Sequence, residues 1–390
     1  MAAPDRSYMF ECLERLVAIN TENPPGRELE GASFLRERLS ELGFTTELHE
    51  VYPGRANIIA TFDNGDGPVF AFNSHIDVVP AGDGWTNSPF KLVERNGRLY
   101  GRGACDAKGP IVAMIEAARM LKAQRDQWRG KLMLVFVFDE ETQSLGAKAF
   151  AKSHPKVDYA MIGEPTTNQI ATAHKGCLRV IVRVKGIPAH SGTPDLGTNA
   201  IFRAARLLGM LEQHHIEELS CNHHHLVGHS SLTVTRIEAG LADNIVPDSC
   251  TFMIDRRMIP GEKRETAVGQ LEQIFRRAHD EFGVDAVIHE YRPTTGPATE
   301  TPLDHPIVKV SQRSAAPFNS NAAPRGFPGG CDLVHFSSIG ANGVIVGPGD
   351  LAVAHKPDEY VPVDQFINAP IIYRDTLLGI LGSQQITLRP

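Results

Sequence analysis

The sequence predicts an α/β protein with a mostly parallel sheet, interrupted by an inserted α+β domain of ferredoxin-like order. Three observations predict it. Strand-length apolar runs alternate with amphipathic helical stretches through the first 176 residues. The run KLMLVFVF at 131–138 is apolar almost throughout, as expected of a central strand covered on both faces. After Gly176 the order changes to β-α-β-β-α-β, and the alternating pattern resumes past Pro293. Residues 1–176 and 293–390 therefore form one discontinuous domain, with 177–292 inserted into it.

The elements follow in order. Met9, Leu13, Leu16 and Val17 recur at helical spacing within 7–19, and Pro24-Pro25 stops that helix. Leu29, Ala32, Leu35, Leu39 and Leu42 make a second helix, closed by Gly43. Strands are expected at 45–51, 56–62 and 67–72, with an Asn-Gly-Asp-Gly turn at 64–67. A Gly- and Pro-rich loop runs over 80–102, followed by a helix at 110–122 with Pro110 near its start. After the strand at 131–138 come a helix from Leu145 and a short strand at 159–162. The insertion has strands at 177–185, 231–238, 250–257 and 285–291, and helices at 198–211 and 262–278. A helix from His305, a strand at 343–346 and a helix at 364–381 complete the chain.

Composition narrows the function. The chain has 390 residues, 42% hydrophobic and 22% charged, which suits a globular protein with a large core. A net charge of −7 argues against a nucleic-acid binder held by phosphate contacts. No apolar run is long enough to span a bilayer, and the N-terminus has no apolar signal core. The six cysteines, Cys12, Cys105, Cys177, Cys221, Cys250 and Cys331, form no CxxC pair and read as reduced thiols. The expectation is a cytoplasmic protein whose partner is a small molecule, not a nucleic acid or a membrane.

Chemistry-bearing residues recur at the ends of the predicted strands. His75 and Asp77 follow the strand at 67–72. Two residues apart on extended backbone they project to one side, and imidazole with carboxylate suits a metal such as zinc. Asp106 lies in a glycine-hinged loop, Gly101 to Gly109, just before a helix, where an acid is electrostatically favoured. That loop lacks the third glycine of a dinucleotide fingerprint and the GK[ST] ending of a P-loop. Lys108 there reads as structural or charge-balancing. Asp139, Glu140 and Glu141 crowd three carboxylates at the end of the central strand, a repulsion that a cation relieves. One carboxylate then binds the ion while another stays free as a general base. Glu164 ends the next strand, and His355 precedes a Pro-containing turn.

Together SHIDVVP (74–80), GRGACDAKG (101–109), DEETQSLGA (139–147), GEP (163–165), GIPAH (186–190), DRRMIP (255–260), GGCD (329–332) and AHKPDE (354–359) resemble the M20 metallopeptidase and amidohydrolase family. That is the group of acetylornithine deacetylase and succinyl-diaminopimelate desuccinylase, and the pieces occur in its order across nearly the whole chain. The resemblance implies a zinc-hydrolase catalytic domain with an inserted lid, or dimerisation, domain and a homodimer formed through it. It implies two divalent metal ions, zinc with cobalt or manganese able to substitute, held by His75, Asp106, Glu141, Glu164 and His355, with Asp106 bridging. Glu140 would be the general base and Asp77 would orient His75. His190 would stabilise the oxyanion, commonly from the partner subunit. Arg257 would grip a substrate carboxylate, Asn244 a substrate oxygen, and Gly329 and Gly330 would offer backbone N–H groups.

Ala107 stands where the family often has Met or a second acid. Cys105 and Cys331 read as packing residues, the run His223-His224-His225 as a solvated lid loop, and the roles of Lys175 and Arg325 stay open. The implied reaction is hydrolysis of the amide of a small N-acyl amino acid. The alternatives are a dipeptidase or carboxypeptidase, a hydrolytic deaminase, and a catalytically inactive binding relative. The acyl group and side chain are not legible.

Overall fold

The computed structural model describes residues 3–153, 156–319, 321 and 323–382. These divide into two compact units, one drawn from residues 3–173, 300–327 and 331–382, the other of residues 174–299 and 328–330.

The first unit begins with α1 (Arg6–Ala18), capped by the Asp5 side chain, and α2 (Glu28–Glu41). Strands β1 (Thr45–Tyr52), β2 (Arg55–Asp63) and β3 (Val69–His75) follow. The 80–102 stretch, expected to be loop, contains a small hairpin, Val93–Arg95 with Arg98–Tyr100. Its turn, Asn96-Gly97, has φ of 52° and 71°, the left-handed pair that short hairpins require, a signal the Gly and Pro content obscured. Next come α3 (Lys108–Ala123), β4 (Lys131–Val137), α4 (Leu145–Ser153), β5 (Tyr159–Ile162) and β6 (Ala171–His174). Strand β6 has only four residues and was not expected.

The second unit contains β7 (Gly176–Lys185), α5 (Ala200–His214), β8 (Ser231–Ala239), β9 (Ser249–Met258), α6 (Arg264–Phe282) and β10 (Asp285–Arg292). Its sheet runs β8-β9-β7-β10, all antiparallel. One face buries Leu178, Val180, Val182 and Val184 of β7 against α5 and α6. The first unit ends with α7 (Pro306–Ala315), α8 (Leu333–Ser338), β11 (Asn342–Ile345) and α9 (Val363–Leu381).

The sheet of the first unit is mixed, with a parallel centre. In the order β4-β3-β5-β11 every neighbour is parallel, while β2 pairs antiparallel with β4 and β1 with β2. Both faces are buried: Phe70, Phe72, Leu132 and Leu134 lie in one hydrophobic cluster, Ala71, Met133, Val135 and Val137 in another. That accounts for the uninterrupted apolar run of β4. It also leaves the carboxyl ends of the parallel strands as the place where polar side chains can gather.

Candidate metal centre

The ends of β3, β4 and β5 deliver the functional side chains. His75 is the last residue of β3 and pairs with Val137, the last of β4. Two residues further, Asp139 takes φ +71°, uncommon for a side-chain-bearing residue, and turns the chain into Glu140 and Glu141. Glu164 stands two residues beyond β5. Asp106 enters from the loop before α3, and His355, at φ +64°, from the loop after β11.

These five residues form two overlapping triads. The ligand atoms of His75, Asp106 and Glu164 lie within 4.8 Å of one another, as do those of Asp106, Glu141 and His355. Asp106 gives one oxygen to each side: Oδ1 is 3.2 Å from His75 Nε2, and Oδ2 is 3.3 Å from His355 Nε2. His355 Nε2 is also 3.0 Å from Glu141 Oε2. The His75 Nδ1 proton is held by the main-chain carbonyl of Asp77 at 2.9 Å, which turns the Nε2 lone pair toward Asp106.

The charges are out of balance. Burial pushes the carboxyl groups of Glu140 and Glu164 well above the usual range and raises Glu141 as well. Asp106 goes the other way: burial opposes its charge, but hydrogen bonds from His355 and His75 hold it well below the usual range. Burial also works against the His75 cation, yet the Asp106 hydrogen bond and the charges of Glu164 and Glu140 raise it well above normal. Half-exposed His355 rises to about 10 through its hydrogen bonds to Asp106 and Glu141. A nitrogen and oxygen donor set with surplus negative charge, split into two triads around one shared carboxylate, fits two divalent cations.

Asp77, expected to orient His75, meets its Nδ1 through the backbone carbonyl. The Asp77 carboxylate, 3.7 Å from Nδ1, accepts the N–H groups of Glu140 at 3.0 Å and Glu141 at 3.2 Å. Supporting residues that the sequence reading missed complete the arrangement. Asn23 Nδ2 donates to Asp77 Oδ2 and Asp139 Oδ1, Arg55 pairs with Asp139 at 2.9 Å, and Glu28 receives Arg55 Nε at 3.0 Å. Buried Glu359 accepts the N–H groups of Cys105 and Asp106, both at 3.0 Å, and pairs with buried Arg102. Glu359 stood in the AHKPDE motif four residues after His355, but nothing in that spacing named its partner.

Lys108 is buried, with Nζ on the Ile19 carbonyl at 2.9 Å, and burial pushes it down to about 7. Burial also raises the thiols of Cys105 and Cys331 well above normal, which suits packing rather than ligation. Arg325 lies in the first unit, its backbone N–H on the Ile170 carbonyl. Asp332, the acid of GGCD, is buried there too, and burial lifts it to about 7.

The remaining expected residues lie in the second unit. His190 and Asn244 come together: His190 bridges Ile245, and Ser191 N–H donates to the Asn244 carbonyl. His190 Nδ1 accepts from Gly192 N–H at 3.0 Å, so Nε2 carries the proton of the neutral ring. Arg257 is not free: its Nε and Nη2 meet Asp255 at 2.7 and 3.3 Å. Gly330 packs against Thr295 and the Lys175 carbonyl, and adjacent Gly329 belongs to the same unit. His224 turns its Nδ1 to the backbone N–H groups of Leu226 and Val227, closing a tight hairpin.

A family model described as peptidase family M20/M25/M40 matches residues 71–378. The chain is 32% identical over 384 residues to an acetylornithine deacetylase of Myxococcus xanthus, covering 95% of this chain and 97% of that one. It is 28% identical over 400 residues to a probable succinyl-diaminopimelate desuccinylase of Staphylococcus epidermidis, covering 95% and 96%. Its fold matches the crystal structure of the aminopeptidase PepT from Bacillus cereus with a TM-score of 0.80 at 22% identity, over 97% of this chain and 99% of that one. With the family model spanning most of its length, the chain belongs to peptidase family M20/M25/M40 and is a metal-dependent hydrolase of amide bonds.

Proposed function

We propose that the protein hydrolyses the amide bond of a small N-acyl amino acid, with His75, Asp106 and Glu164 holding one zinc ion and Asp106, Glu141 and His355 a second. The observation that carries this reading is the pair of triads sharing Asp106, with Glu140, the chain neighbour of Glu141, belonging to neither. A divalent ion held by these residues would supply Lewis acidity toward an amide carbonyl and a water usable as nucleophile near neutral pH. Glu140 is placed to serve as general base toward the attacking water and as the proton donor to the leaving amine. Asp77 fixes Glu140 by holding its backbone N–H. The protonated Nε2 of His190 is suited to donate to the developing oxyanion, Asn244 to a substrate oxygen, and the backbone N–H groups of Gly329 and Gly330 to a carboxylate. Arg257, fastened by Asp255, presents its remaining edge to a substrate carboxylate.

The likeness to a named deacetylase across 95% of the chain favours the acyl amino acid. The test is a panel of N-acetyl, N-succinyl and N-formyl amino acids and dipeptides offered to the metal-loaded protein. Release of amine from the acyl amino acids supports the reading, and turnover of dipeptides alone overturns it.

The second unit further serves as lid and as the contact for a homodimer. Exposed Leu241, Leu196, Phe202 and Ile187 support this, at 87, 78, 70 and 56% exposure. A single monomeric species in sedimentation equilibrium would contradict it. A cytoplasmic location is supported by six free cysteines, five of them buried; no helix of the described residues is long and apolar enough to cross a membrane.

A further inference from the structure

Six of the 16 histidines fall between residues 214 and 229, a stretch of the second unit that the proposed metal centre does not use. The run His223-His224-His225, expected as a solvated loop, is closed into a hairpin that pairs His223–His224 with Gly228–His229. Just before it, α5 runs out in a π turn, His215–Leu219. The hairpin stands on a fixed base. Ser230 N–H donates to the Asn222 carbonyl at 3.2 Å, Asn222 Nδ2 to Glu262 at 3.0 Å, and Lys175 Nζ to the His229 carbonyl at 2.7 Å. Side chains on such a hairpin are held in place before any ligand arrives.

The register sorts the imidazoles. His223 and His229 stand directly opposite each other, so their side chains leave the same face with Cβ atoms about 5 Å apart. Both are exposed. His229 Nδ1 donates to the Ser230 carbonyl at 2.8 Å, so Nε2 of the neutral ring carries a lone pair. A backbone carbonyl on the other ring nitrogen is how a ligating histidine is commonly held. Among the described residues the His223 ring has no hydrogen-bond or ion-pair partner. The neighbouring rings are otherwise engaged. His214 Nδ1 is 3.3 Å from Glu218, and His215 Nδ1 accepts Leu232 N–H at 3.4 Å. His224 Nδ1 accepts Leu226 N–H at 3.3 Å and Val227 N–H at 3.4 Å. In neutral His215 and His224 the proton therefore sits on Nε2, which leaves no lone pair there for a metal. His225 packs its ring on His224, with centroids 4.6 Å apart.

We infer that His223 and His229, facing each other across this hairpin, form a further metal site that takes a divalent transition ion such as nickel, copper or zinc. Two imidazole nitrogens bind the ion, and water fills its remaining positions. Imidazole suits these metals, whereas magnesium and calcium require oxygen ligands. The site is separate from the centre built on Asp106 and shares no residue with it.

The test is equilibrium dialysis of the untagged, zinc-loaded, full-length protein against nickel, with zinc and nickel per chain read by mass spectrometry. The expected result is one nickel gained with no zinc lost. His223→Gln and His229→Gln should each weaken nickel binding at least about tenfold, and His225→Gln, beside the pair, should leave it unchanged. Magnesium in excess should not displace the nickel. Circular dichroism and melting confirm folding, and His223→Gln carries the test if His229→Gln does not fold. No nickel uptake overturns the inference. So does uptake matched by zinc release, which reports exchange at the first centre. Uptake that survives both His223→Gln and His229→Gln, or that falls with His225→Gln, overturns it as well, and displacement by magnesium would mark an oxygen site instead.

Discussion

Asp106 serves two triads with one carboxylate, so its position must be fixed from behind. Glu359 does this through two backbone N–H groups, of Cys105 and Asp106, while Arg102 neutralises its other oxygen. Because Glu359 also lies four residues after His355, it ties two ligand-bearing loops together. Outer partners of this kind govern metal affinity as well as rate. Glu359→Ala should weaken metal binding by about 10- to 100-fold, measured by competition with a chelator. Glu359→Gln, which keeps an acceptor for the two N–H groups, should weaken it less. Unchanged affinity in Glu359→Ala would show that the loop holds itself. His75, Asp106, Glu141 and Glu164 could be picked out in the sequence because each stands beside a strand end or in a glycine-hinged loop, and His355 only through the AHKPDE motif. Glu359, Arg102 and Asn23 could not, since their partners lie 253, 257 and 54 residues away in the chain.

At the scale of elements, the parallel order β4-β3-β5-β11 brings the turns carrying Glu140, His75 and Glu164 together. The long apolar strands and amphipathic helices were readable from their period. The four-residue β6 and the hairpin at 93–100 were too short to show one. The N-terminal helices contribute more than cover. Glu28, the first residue of α2, is fully buried and joins Arg55 of β2, which continues to Asp139 and, through Asn23, to Asp77. Removing the arginine would leave two buried carboxylates unmatched. Arg55→Met should therefore cost about 3 kcal/mol in urea unfolding, and the double variant Arg55→Met with Glu28→Gln should recover part of it. A loss below about 0.5 kcal/mol would show that the network adds no stability.

Across the whole molecule, His174 ends β6 where the chain enters the second unit. It is fully buried, with Nδ1 donating to the Lys175 carbonyl, and Nε2 has no partner among the described residues. Burial pushes it down to about 4. The unfolded chain takes up this proton near the ordinary value of 6.5, before the folded one does, so the contribution is intact above pH 6.5 and is lost as pH falls toward 4. The loss should be on the order of 3 kcal/mol. Melting of the metal-free protein across that window should show it, and His174→Asn should be flatter; parallel profiles would contradict the assignment. The sequence reading set its domain boundaries at 176 and 293 because the pattern of elements changes there. The grouping of 328–330 with the second unit was not readable, because those residues lie far from it in sequence. Metal binding and proton transfer are proposed to fall on different residues of the same turn, Glu141 and Glu140. The most direct measurement is metal stoichiometry by mass spectrometry of the purified Glu140→Gln variant beside its turnover. Two ions retained, with the rate lowered by about 10²- to 10⁴-fold, is the predicted result; loss of metal, or a rate equal to that of the parent, would contradict it.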